Sequence, residues 1–369
     1  MNGQPGGTTS GIADSPTRRF ADTMKILYHL PILPPKIPQT DAVLQEITAL
    51  QGHFGGDLVY VNPNQSCPLY IPRLLFGLHK LRQLQHREAN LHLHHFYNPD
   101  PFPFPYLNRL RRPVIYALTG GVTDRRPNLA FFSSMAAVVV SDERSLRWLK
   151  ASGLENAVLV RPGIDTSRFS YAPLPLHADK LHPSEIRLMV GSAPWAKGQI
   201  RTKGVDALLM AAQRAPHLRL VFLWRGILAD DMERRVRAMN LTKQVTVIDR
   251  QVDVNEVLAG VHASVTLATR PEIVKSYPHS LLDSLATGKP VLVSQAIPMA
   301  DYVRETGCGQ VVDDVTPESI LAAITALAAN YDERQASAQQ VGQRDFSQQA
   351  MIVSYQQVYE RALESTSQP

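Results

Sequence analysis

Lys275 and Asp283 stand eight residues apart, with Glu272, Ser276, Tyr277 and Pro278 beside them, in the stretch of this chain best suited to chemistry. Residues 271–279 follow an apolar run at 263–268 that reads as a buried strand. Leu281, Leu282, Leu285 and Ala286 then recur as on one face of a short helix. Gly288 stops that helix, Pro290 follows two residues later, and 291–293 reads as the next strand. The loop therefore sits at the carboxyl end of a strand and runs into a helix N-terminus. In parallel sheets ligands bind there, and a helix N-terminus favours an anion. A second set is Lys203-Gly204, just before a helix predicted over 205–214 and after a loop holding Ser192, Lys197 and Arg201. A cation at a helix start is disfavoured unless an anion lies there. The third set is His92, His94 and His95 on a strand predicted over 90–96, where His92 and His94 share a face. Such a pair can bind zinc, but no third ligand stands at useful spacing. The expectation is a non-metal role, with His94 or His95 as a polar group near a cleft, weighed against plain core packing.

The elements that must position these residues alternate strand and helix. A strand at 24–29, a helix at 41–50 capped by Thr40 or Asp41 and a strand at 58–61 open the chain as a Rossmann-like unit. No Gly-x-Gly-x-x-Gly follows the first strand, which argues against a dinucleotide cofactor. Residues 71–88 predict one amphipathic helix whose polar faces carry Arg73, Lys80, Arg82 and Arg87. That is either a solvated basic face or a patch for an anionic membrane surface. A strand at 114–119 closes on Gly120-Gly121, glycines that let a ligand approach the backbone closely. A strand at 136–141, a helix at 142–151 and a strand at 158–160 follow. Residues 170–184 hold three prolines and no periodicity, as a linker does. Beyond it come strands at 186–190, 218–224, 245–248, 263–268, 291–293 and 310–312. Helices are expected at 205–214, 229–239, 255–260, 280–287, 317–330 and 346–363.

At 369 residues the chain can hold two cores, and 44% hydrophobic with 19% charged residues is the balance of a soluble protein. No apolar run is long enough for a transmembrane helix. Residues 1–23, rich in Gly, Ser and Thr without an apolar segment, read as a disordered tail and not a signal peptide. Cys67 and Cys308 form no redox or metal spacing, so a reducing cytoplasm is expected. The net charge of +5 is dispersed; it suits nucleotide diphosphates or acidic lipid headgroups and does not argue for nucleic acid.

Residues 271–291 resemble the donor-site signature of the group 1 retaining glycosyltransferases with the GT-B fold. Pro271, Ser276, Pro278, Ser280, Leu281, Leu282, Ala286, Gly288, Pro290 and Val291 carry the likeness, and the two glutamates of that pattern fall on Lys275 and Asp283. Arg161-Pro162-Gly163-Ile164-Asp165 with Phe169 is similar to the segment that closes the first domain in that family. Lys203, Gly204, Leu208, Leu209 and Ala211 fit its Lys-Gly motif; the preceding arginine falls on Ser192, with Lys197 and Arg201 nearby to restore charge. The family's histidine after the fourth strand is replaced by Thr119 or Gly120.

The resemblance implies an α/β chain of two Rossmann-like parallel-sheet domains facing a central cleft. Residues 24–170 would form the acceptor domain, 171–184 the linker, 185–345 the nucleotide-sugar domain, and 346–365 a terminal helix crossing back to the first domain. It implies transfer of a sugar from a nucleotide diphosphate sugar, with retention, to a glycan, lipid-linked or small-molecule acceptor. No metal is expected, since cationic side chains and a helix N-terminus stand in for it. Lys203 with Arg201 would neutralise the leaving diphosphate. Asp283 would accept from the ribose, and the loop with Arg250 and Val252 would hold the base. Ser192, Lys197, Gly204, Glu272, Ser276, Tyr277 and Pro278 complete the donor side. Lys275 would face the sugar, pairing with a uronic acid carboxylate or with phosphate. His94, His95, Thr119 and Gly120 would lie on the acceptor side. The expected location is the cytoplasm or the inner face of the membrane, as a peripheral protein. The departures at Ser192, Thr119 and Lys275 also suit a non-catalytic nucleotide- or glycan-binding protein, or a partner subunit of an active transferase. A sugar epimerase of the same fold fits Lys203-Gly204 and Asp283 less well.

Overall fold

The computed structural model describes residues 24–35, 41–64, 69–120, 127–176, 185–194, 196–224 and 228–367. The tail at 1–23, Gly121, Cys67 and most of the predicted linker lie outside the described residues. Two six-stranded sheets, parallel throughout, organise the described residues. The first is built from β1 (Ile26–Leu30), α1 (Ala42–Phe54), β2 (Asp57–Tyr60), α2 (Leu81–Arg87), β3 (Leu93–Asn98), β4 (Val114–Leu118), α3 (Leu129–Ser133), β5 (Ala137–Val140), α4 (Glu143–Ala151) and β6 (Ala157–Leu159). The second comprises β7 (Ile186–Val190), α5 (Lys197–Thr202), α6 (Val205–Arg214), β8 (Leu218–Leu223), α7 (Ala229–Ala238), β9 (Val245–Ile248), α8 (Val254–Ala259), β10 (Ala263–Thr266), α9 (His279–Ala286), β11 (Val291–Ser294), α10 (Met299–Thr306) and β12 (Gly309–Val312). Three helices end the chain: α11 (Pro317–Ala329), α12 (Tyr331–Asp345) and α13 (Gln348–Ser367).

The strand orders are β2-β1-β3-β4-β5-β6 and β12-β11-β10-β7-β8-β9. Each sheet reverses its winding once, between β1 and β3 and between β7 and β10. Crevices at the carboxyl ends of such strand pairs are where open parallel sheets bind ligands. The inner strands are continuous apolar runs because helices cover both faces. One face of the first sheet is covered by α1 through Leu44, Ile47, Leu50 and Phe54, and by α13 through Met351, Tyr355, Val358 and Tyr359. Full burial of side chains of this size contributes on the order of 1.5–3 kcal/mol each. The last helix is thereby fixed to the first sheet. Its approach is held where Ile164 N–H donates to Phe346 O and Gln348 N–H donates to Ile164 O, both at 2.8 Å.

Local chemistry sets several of the elements. Asp41, the second of the two predicted caps, accepts from Val43 and Leu44 N–H at 2.9 and 3.0 Å and starts α1. The single helix expected over 71–88 is instead a 3-10 turn at Arg73–Leu75, a second at Leu78–Lys80, and then α2. The break falls at Gly77, which is left-handed (φ 79°), and a Cβ there would lie 2.5 Å from the Tyr106 ring. The loop expected over 191–204 contains α5, and α12 has no counterpart in the predicted elements. The buried stripe of α12 is Tyr331, Gln335, Ala338, Val341 and Gly342, mostly small or polar residues that a search for apolar periodicity passes over.

Candidate active site

A cleft of about 1000 Å³ separates the two domains. Ala42 and Gln45 of α1 form one side together with Ile164, Arg168 and Phe169; Gly191, Val252–Asn255, His279, Ser280 and Asp283 form the other. The N-terminus of α9 points into it. Pro278 is the extended residue before the helix and no side chain caps its first turn; Leu281 N–H already donates to Pro278 O at 2.9 Å, which leaves the N–H groups of His279 and Ser280 to a ligand. Gly191, at the end of β7, lets this turn come close: a Cβ there would lie 2.5 Å from Ser280 Cβ. Asp283 is one turn further along α9. Burial raises its carboxyl to about 7, with the Arg168 charge opposing the shift. The opposite wall is stiffened by Asn255, whose Nδ2 donates to Arg168 O at 2.7 Å. An anion at the helix start with hydroxyls at Asp283 fits the chemistry of this surface.

The three cations of the preceding loop are separated by the fold. Lys203 is buried, and its ammonium donates to Ser192 Oγ at 3.0 Å and to Ala193 O at 2.9 Å, pinning the loop after β7. Burial lowers it to about 8. Gly204 is left-handed (φ 66°) and abuts Leu267 and Val315, where a Cβ would meet atoms at 2.5–3.0 Å. Lys197 pairs with Asp231 at 3.5 Å and is largely exposed, as is Arg201. Neither these three cations nor Arg250 is among the residues lining the cleft, and Arg250 is exposed. Val252 does line it.

Beyond His279 the cleft meets a chamber of about 30 Å³ at the carboxyl ends of β4 and β5. Lys275 and Thr119, placed on opposite domains by the sequence, both line it, joined by Glu46, Ser141, Tyr277 and His279. His279 Nε2 hydrogen-bonds Glu46 Oε1 across the domains at 3.2 Å. Burial lowers the Lys275 ammonium, against the charges of Glu46 and Asp41. Burial also lowers His279, opposed by its hydrogen bond to Glu46 and reinforced by Lys275. Tyr277 OH donates to Glu143 Oε2 of α4 at 3.3 Å and Glu143 also pairs with Arg161, so Tyr277 joins the two domains. Ser276 is fully buried, and its Oγ has no partner among the described residues. Glu272 lies exposed in a 3-10 turn.

His94 and His95 do not reach the cleft. Both are fully buried in the first domain. His94 Nδ1 is 3.0 Å from His29 Nε2 and its Nε2 is 3.1 Å from Glu88 Oε1, while His29 Nδ1 takes Tyr106 OH at 3.1 Å. His95 Nδ1 bonds Tyr359 OH at 2.8 Å and its ring stacks on Tyr97. In a parallel sheet both faces of β3 are covered, so neither side of the strand offers a route to the cleft. His92 precedes β3 and accepts from Lys25 N–H at 3.0 Å. Gly120 packs on the backbone of Pro99, where a Cβ would lie 2.4 Å from Pro99 O. Sequence reasoning missed Glu46 and His279. The signal for Glu46 was available: it lies among Leu44, Ile47 and Leu50 on the buried face of α1, where an acid is out of place.

A family model for glycosyl transferases group 1 matches residues 187–344, the second domain. Solved structures similar to the whole chain include a glycosyltransferase from Rickettsia africae, at 12% identity and TM-score 0.70, covering 93% of this chain and 99% of that one. The sucrose-phosphate synthase of Thermosynechococcus elongatus is similar at 15% identity and TM-score 0.66, covering 93% and 100%. Anabaena HepE in complex with UDP is similar at 13% and TM-score 0.64, again covering 93% and 100%. No curated protein matches the chain. The architecture is GT-B: two Rossmann-like domains facing a cleft, each sheet presenting its strand ends to it.

Proposed function

We propose that this protein is a glycosyltransferase that uses a nucleotide diphosphate sugar. The observation that carries the reading is the uncapped N-terminus of α9 packed against Gly191 on one wall of the cleft, with Asp283 one turn on. The match of the second domain to glycosyl transferases group 1 and the UDP complex of HepE support it. In this reading the diphosphate lies at the helix start, the ribose at Asp283 and the base against Val252. Lys203 acts by holding the loop after β7 and contributing positive charge behind the phosphates, with Arg201 further out. The sugar extends toward Lys275 and Thr119. The bond from anomeric carbon to phosphate oxygen breaks, and its electron pair leaves on the diphosphate. An acceptor hydroxyl oxygen bonds to the same face of that carbon, and its proton ends on the departing diphosphate. The configuration is retained. Charge is stabilised by protein groups, with no metal ion in the scheme.

The acceptor is a glycan or a lipid-linked saccharide met at a membrane surface. Support comes from the segment ahead of α2, where Leu69, Tyr70, Leu74, Leu75 and Leu78 are exposed, and from α2 itself, which borders a 620 Å³ hollow lined by Arg82, His86, Glu88, Arg111 and Arg112. Apolar side chains next to arginines suit contact with anionic lipid. No helix among the described residues is long and apolar enough to cross a membrane.

The test is a thermal-shift screen of UDP, GDP and ADP, followed by hydrolysis and transfer assays with the corresponding sugar nucleotides, with and without EDTA. Nucleotide binding and turnover that survives EDTA are expected. Binding with neither hydrolysis nor transfer would make the chain a binding protein. Turnover abolished by EDTA and restored by manganese or magnesium would overturn the metal-free scheme.

A further inference from the structure

Three charged side chains line the chamber beyond His279: Arg161, which is already paired with Glu143, and two opposite charges contributed by different domains. Lys275 enters it from the loop before α9, and Glu46 from α1. The Glu46 side chain is only 10% exposed, yet it sits on a helix face otherwise packed with Leu44, Ile47 and Leu50. Burying an acid in that stripe is costly unless it is paired and hydrogen-bonded, and the groups that can do this here, His279 and Lys275, come from the other domain. Glu46 Oε1 is hydrogen-bonded to His279 Nε2 of the other domain. The charge of the neighbouring Asp41 also reaches Lys275, but its Oδ1 accepts from Val43 and Leu44 N–H and caps α1. Glu46 is thus the carboxylate directed into the chamber. Ser141 Oγ, a further buried hydroxyl on the chamber wall, has no partner among the described residues.

Resting on the nucleotide-sugar reading above, we propose that Glu46 is a specificity-determining residue that pairs with Lys275 to select a neutral, polyhydroxylated hexose over a uronic acid. A lysine alone at this place attracts an anionic sugar. With Glu46 in the same small space the local charge is balanced, and a sugar carboxylate would meet a like charge in a site with little solvent screening. A hexose offers hydroxyls that donate to Glu46 and accept from Lys275, since a carboxylate only accepts and an ammonium only donates. A space of 30 Å³ admits a water molecule but no hexose ring. The ring therefore enters where Glu46 meets His279, and takes over the hydrogen bond that now closes that contact. Glu46 and His279 belong to different domains, so a small separation of the domains opens the chamber.

The test compares Kd for UDP, UDP-glucose and UDP-glucuronic acid in wild type, Glu46→Gln and Lys275→Gln; if GDP or ADP binds in place of UDP, the same two sugars are compared on that nucleotide. Wild type is expected to favour the glucose form at least about tenfold. Glu46→Gln should erase about one decade of that ratio while affinity for the bare nucleotide stays within about threefold, a shift of about 1.4 kcal/mol confined to the sugar. Lys275→Gln should move the ratio the other way. A wild type that prefers the uronate, or a folded Glu46→Gln protein with an unchanged ratio and only a lower Tm, overturns the inference and leaves Glu46 as a domain latch. If none of the three nucleotides binds, the parent reading fails, a result distinct from the other two.

Discussion

The cleft and the chamber are neighbours that share His279, and they are built in different ways. The cleft is wide, and its proposed phosphate site consists of backbone: a helix start, a glycine and a loop. The chamber is narrow and its character comes from side chains brought together by two domains, chiefly Glu46, Thr119, Lys275 and Tyr277. A backbone site tolerates many sequences provided that the fold and a few glycines persist. A side-chain site changes character with one substitution. This accounts for a chain whose second domain matches a family model while Lys275 and Thr119, which stand where the resemblance led us to expect a carboxylate and a histidine, both lie in the chamber.

Variants that act on one cavity and spare the other can break that contrast. Gly191→Val should have the largest effect. A side chain at Gly191 collides with Ser280 Cβ, which is close to the main chain and cannot swing away. Nucleotide affinity should fall by about a hundredfold or more, about 2.7 kcal/mol, as measured by calorimetry. Affinity within threefold of wild type would mean that the helix start is not the anion site.

Lys203→Ala comes next. It removes the ammonium that pins Ser192 and Ala193, and turnover should drop more than about tenfold, over about 1.4 kcal/mol. Unchanged kinetics in a folded variant would remove Lys203 from the donor side.

A smaller effect is expected from pH. With its carboxyl raised to about 7, Asp283 gains acceptor capacity as pH rises from 6 to 8, so nucleoside diphosphate affinity should increase about threefold relative to Asp283→Asn. The stability effect has the opposite sign. The folded state holds this proton more tightly than the unfolded chain, so wild type should lose Tm relative to Asp283→Asn as pH rises from about 4 to about 7. Parallel pH curves for the two proteins would refute the assignment.

The smallest effect belongs to an ion pair between the domains that lines neither cavity. Arg144 of α4 donates through Nε and Nη2 to the Asp301 carboxylate of α10, both at 2.7 Å. Both side chains are about one-third exposed, so Arg144→Ala should cost about 1 kcal/mol or less in thermal unfolding. A larger loss would show that the closed arrangement of the domains depends on this pair.

The alternation of strands and helices, the strand–loop–helix unit around Lys275 and Asp283, and the glycine before α6 were all legible in the sequence. Each depends on local rules: periodicity, capping and the backbone freedom of glycine act over a few neighbouring residues. The same rules failed at 71–88, where Gly77 yields to the Tyr106 ring, and at α12, whose buried face includes Gln335 and Gly342. Only the tertiary structure decided that His94 and His95 are core residues, that Lys203 turns to Ser192, and that Glu46 meets His279 and shares a chamber with Lys275. Glu46 and His279 are far apart in the chain and on different domains. The sign of the charge in the chamber depends on both Glu46 and Lys275, and nothing in the local sequence around Lys275 specifies the carboxylate that shares its chamber.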